Sequence, residues 1–142
     1  MEKKVMISIC GLQSQDDEEP DKVEFVTEGT LSQTAEEGIT LCYDESEVLG
    51  EEGIMTRLSV RSNKAEMTRT GPVSAHMVFE EDKRHLGCYE TPFGTISVGI
   101  TAAAVEDHLE TAGSLVIRYK MDVDHRVVST HRLEIQVNDL HQ

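Results

Sequence analysis

Between Gly113 and Asn138 the chain alternates apolar and polar residues so regularly that few folds remain open to it. Leu115, Ile117, Tyr119, Met121 and Val123 share one phase, and Val127, Ser129, His131, Leu133, Ile135 and Val137 share the next. A period of two marks half-buried strands, one face in the core and one in water. With Asp124-His125-Arg126 as the loop, Val123 faces Val127, Tyr119 faces His131, Ile117 faces Leu133 and Leu115 faces Ile135. A loop shorter by a single residue sets each apolar residue opposite a polar one, whereas a loop longer by a residue pair keeps the parity. The segment reads as an antiparallel hairpin with a defined inner face.

The rest of the chain repeats this grammar. Strands are expected over Lys4 to Leu12, with Val5, Ile7 and Ile9 in phase, over Lys22 to Ser32, with Val23 and Phe25 in phase, and over Gly38 to Asp44. The acidic stretch at residues 13–21, which contains Pro20, reads as a loop, and so does Asp44 to Gly53. Ser62-Asn63 joins Ile54–Arg61 to Lys64–Arg69 and sets Val60 opposite Ala65, Leu58 opposite Met67 and Thr56 opposite Arg69. Ala75 to Glu80, His85 to Glu90 and Thr95 to Thr101 follow, separated by Glu81-Asp82-Lys83 and by Thr91-Pro92-Phe93-Gly94, which suits a type I turn. Residues 102–110 are the place for a short helix, with Val105 and Leu109 four apart. About ten short strands in sequence order imply an antiparallel up-and-down meander. Closing it into a barrel of about eight to ten strands removes the exposed edges, which favours a barrel over an open sheet or a Greek-key sandwich.

With 142 residues the chain suits one domain, residues 1–142, and has length enough to bury a core unaided. A formal charge of -14 repels phosphate backbones and anionic lipid surfaces, so neither nucleic acid nor a membrane is an expected partner. Cys10, Cys42 and Cys88 are odd in number and far apart, fitting neither a disulfide framework nor a zinc ribbon, and the start of the chain resembles no signal peptide. A cytoplasmic location is expected. No cofactor motif appears. Asp122-x-Asp124-His125 is the one start of a metal site, and turn chemistry accounts for the same residues. The sequence leaves the oligomeric state open.

Tyr89-Glu90-Thr91-Pro92-Phe93-Gly94 with the Thr95–Thr101 strand, Tyr43-Asp44-Glu45 with Gly50 and Thr56 downstream, and Gly113 to Val137 together resemble the small bacterial YwiB-like proteins. The likeness spans roughly residues 39 to 138. It implies a calycin-like, lipocalin-like closed barrel and carries over no catalytic or ligand-binding residue.

Tyr43, Tyr89 and Tyr119 fall on the apolar phase of their strands, and His131 shares that phase opposite Tyr119. A buried tyrosine hydroxyl needs a partner, which His131 can supply as a purely internal hydrogen bond. The same groups, with Arg69 snorkelling toward a rim, can instead line a cavity and orient a small apolar ligand. Without Trp and with three Phe, the core offers little bulk, which predicts a residual pocket inside the barrel. The ligand-binding candidates are therefore Tyr43, Arg69, Tyr89, Tyr119 and His131. No nucleophile elbow, zinc helix or phosphate loop is present, so non-enzymatic binding of a small apolar ligand or a protein partner is the expected function. The alternatives are an enzyme using Tyr119 and His131 as acid and base in the barrel mouth, and a filled barrel acting through its surface.

Overall fold

A computed structural model describes residues 2–15, 19–36, 38–44, 53–72, 74–91 and 94–139. Its strands are β1 (Glu2–Ser14), β2 (Asp21–Thr34), β3 (Gly38–Asp44), β4 (Met55–Arg61), β5 (Lys64–Thr70), β6 (Ser74–Glu80), β7 (Arg84–Thr91), β8 (Gly94–His108), β9 (Ser114–Val123) and β10 (Arg126–Asp139). Each pairs antiparallel with its sequence neighbours, and β1 also pairs with β10, closing a ten-stranded barrel. The expected loop residues 45–52, the acids at 16–18 and the turn residues Pro92 and Phe93 lie outside the described residues.

The core is the inner phase of this wall. Val5, Ile7, Leu41, Leu58, Ala65, Phe79, Ile100, Leu115 and Ile117 are all fully buried. At Ser62-Asn63 both residues take positive φ, 52° and 61°, and the expected pairs Val60–Ala65, Leu58–Met67 and Thr56–Arg69 form. Asn accepts that conformation at low cost.

Three expectations need correction. The first concerns residues 102–110, which are not helical: the chain stays extended through His108. A bulge between Ala102 and Ala104 moves the inward phase from Ile100 and Ala102 to Val105, so apolar spacing across it imitates a helix. The Val105 amide behind the bulge donates to Glu81 Oε1 at 2.9 Å, and the Asp82 amide donates to the Ala102 carbonyl at 2.9 Å. The turn after β6 thus folds onto β8 and satisfies the irregular backbone.

The C-terminal hairpin turns on Asp124-His125 alone, both at positive φ, so Val123 pairs with Arg126 and Val127 with Asp122. Parity is restored by a second bulge between Val127 and Ser129, after which Tyr119–His131, Ile117–Leu133 and Leu115–Ile135 oppose each other as expected. Finally, β1 and β2 run past the anticipated boundaries to Ser14 and from Asp21, shortening the acidic loop.

Candidate functional site

Inward residues toward one end of the barrel form a continuous row. Across β3 to β8, Tyr43 pairs with Thr56, Thr56 with Arg69, Arg69 with Ala75, Ala75 with Tyr89 and Tyr89 with Ile96. Three candidates therefore stand on one row, next to the connections that follow β3, β5 and β7. A second row joins Ala102 to Tyr119, Tyr119 to His131 and His131 to Gln13. At this end exposure is uneven: inward-phase Ile96 and Val23 are 51% and 47% exposed, while Tyr43, Thr56 and Ala75 on the first row are buried. We refer to this end as the mouth.

Within it, Tyr119 is the hub. Its ring lies 4.6 Å from that of Phe79, tilted by 53°, and 4.6 Å from the His131 imidazole, parallel to within 2°. The pair makes a stacked contact. The expected Tyr119–His131 hydrogen bond is replaced: His131 Nε2 shares a 2.8 Å hydrogen bond with Ser129 Oγ. Tyr89 donates its hydroxyl to the Met77 thioether at 3.2 Å. Arg69 is half-buried, with its Nε shielded from solvent.

Electrostatics tie these groups together. Burial raises the Tyr119 pKa, neighbouring Tyr89 adds to the rise, and Arg69 opposes it. Burial likewise raises Tyr89, again against Arg69. Burial lowers the His131 pKa, leaving a neutral ring favoured. The cluster sets the half-buried Arg69 beside two protonated phenols, a set of donors suited to an anionic or hydrogen-bond-accepting group.

Not every candidate joins it. Tyr43 is 2% exposed and belongs to the core. Tyr119 and His131 border an open groove of about 420 Å³, whereas Tyr43, Arg69 and Tyr89 border none of the three cavities described. Ser129, 6% exposed and bonded to His131, was not singled out from sequence, although it shares the phase of His131. The metal-site start is otherwise engaged. Arg84 Nη2 and Nε donate to Asp122 Oδ1 and Oδ2 at 2.7 and 3.0 Å, and the His125 amide donates to Oδ1 at 3.1 Å. Gly99, between them in the sheet, leaves the room: a Cβ there would lie 2.5 Å from Asp122 Oδ2. Both contacts hold the Asp122 carboxyl below the usual carboxylate range, Arg84 most strongly.

The family described as "Domain of unknown function (DUF1934)" matches residues 7–135. The chain belongs to this family. A likeness in structure covers more of it: the crystal structure of the ywiB protein from Bacillus subtilis superposes with a TM-score of 0.75 over 95% of this chain and 92% of that one, at 19% identity. At that identity the likeness concerns the barrel alone. A search of curated proteins finds no match.

Proposed function

We propose that this DUF1934 member is a cytoplasmic binding protein that holds, at the mouth of its barrel, a small, largely apolar ligand bearing a single anionic head, without transforming it. The observation that carries the reading is the inward Arg69 on one row with Tyr89, electrostatically coupled to Tyr119, at the end where Ile96 and Val23 meet solvent. An apolar rim with few convergent polar groups is the usual composition of a small-molecule site. A charge-assisted bond to a guanidinium contributes about 1.5–3 kcal/mol, roughly a tenfold or greater change in affinity.

Decanoate and decanol separate the head from the tail. Isothermal titration is expected to show decanoate binding that falls about tenfold or more in Arg69→Met, with decanol little affected. Equal binding of both ligands by wild type and variant, or by neither, removes the proposal. A second reading is hydrolysis, favoured by the Ser129–His131 hydrogen bond, an arrangement of nucleophile and base. It requires esterase turnover of p-nitrophenyl acetate that disappears in Ser129→Ala.

A further inference from the structure

The outer wall formed by β2, β1, β10, β9 and β8 carries two neighbouring rows of opposite charge. One runs Lys22, Leu12, Arg132, Arg118 across the strands, and the next runs Glu24, Cys10, Glu134, Val116, Glu106. Within one copy they are already in contact: Lys22–Glu24 at 3.3 Å, Arg132–Glu134 at 2.9 Å and Arg118–Glu106 at 3.8 Å. Arg118 and Arg132 are direct cross-strand partners, a like-charge opposition that costs stability in a sheet. All six charged side chains remain 40% exposed or more. Each guanidinium and carboxylate therefore keeps donors and lone pairs for another partner. Between the charges sit Leu12, Cys10 and Val116, half-buried, and two open grooves of about 540 and 420 Å³ flank the rows.

We infer that this face binds a second copy of the chain. Adjacent parallel rows of opposite sign are self-complementary: a two-fold axis lying in the contact plane along the rows carries each row onto the other. Lys22 and Arg132 of one copy then meet Glu24 and Glu134 of the partner subunit on the same strands, and Arg118 reaches one strand over to Glu106 of the partner subunit. The apolar centre of each copy covers that of the other. The face shares its 420 Å³ groove with Tyr119 and His131, whereas Arg69 stands on β5, outside the five strands of the face, so the oligomeric state and the Arg69-dependent binding are read independently.

Sedimentation equilibrium at about 0.15 M salt tests it. Wild type is expected at twice the 15.8 kDa chain mass. Arg132→Glu and Glu134→Arg each set like charges across the axis and yield monomers. They change net charge in opposite directions, so general repulsion cannot explain both results. Combining them in one chain restores the dimer, as does mixing the two single variants, and circular dichroism confirms that every variant is folded. A monomeric wild type at the highest soluble concentration overturns the inference. So does a dimer that persists in both single variants.

Discussion

At the scale of single residues, the mouth shows how little separates a packing contact from a binding one. Tyr119 is held by its rings, between Phe79 and His131, and among the described residues its hydroxyl makes no hydrogen bond. Tyr119→Phe is thus expected to change the thermal midpoint little, within the value of about 1 kcal/mol for one hydrogen bond, while weakening decanoate binding measurably. A large loss of stability with no change in binding would make the residue structural. His131 gives a pH signature. Its folded pKa is depressed by burial, so the unfolded chain takes up a proton first, near the ordinary value of about 6.5. Its contribution to stability is complete above that value, falls as pH drops toward the folded pKa, and is constant below it. The midpoint measured between about pH 7 and 5 should decline more steeply in wild type than in His131→Phe, which keeps the stack. The Tyr119–His131 register was legible because alternation is a two-residue rule that survives without tertiary information. The replacement of their hydrogen bond by stacking was not, since it depends on the nearby Ser129 hydroxyl.

At the scale of elements, sequence reading failed where a bulge broke parity. The Ala-rich run after Ile100 has neither strong alternation nor turn residues, and the extra residue at the bulge moves the next buried position out of phase. What holds β8 extended lies elsewhere, in its pairing with β9 through His108 and in Glu81, which accepts the Val105 amide. Glu81→Ala should cost about 1–3 kcal/mol in urea denaturation, the penalty for leaving a buried donor unsatisfied, and Glu81→Gln should recover much of it. Strands whose whole length alternates were legible to the residue, as β3 shows. The Asp124-His125 turn was misjudged by one position because a compensating bulge followed it. Gly29 offers another check on strand packing. A Cβ there would lie 2.7 Å from Ile7 Cδ1 and also strike the Cys42 carbonyl oxygen, so Gly29→Ala should lower stability by about 1–3 kcal/mol, readable as a lower urea midpoint.

At the scale of the molecule, closure governs both charge display and assembly. Lys22, Arg118 and Arg132 are far apart along the chain, but the register gathers them in one outward row flanked by Glu24, Glu134 and Glu106. Net charge nevertheless stays at -14, so duplex DNA should show no retardation in gel shifts at about 0.15 M salt. Nine of the ten junctions in the wall join strands that follow one another in sequence, and the tenth joins β1 to β10. The first strand made must hold one edge open until the last is available, and joining them closes a loop of nearly the whole chain, the most entropically expensive step in assembly. A chain emerging from its N-terminus therefore passes through a long interval as an open sheet with two sticky borders. Truncation at either end should trap that interval permanently, yielding material that elutes as large aggregates on size exclusion whichever end is cut.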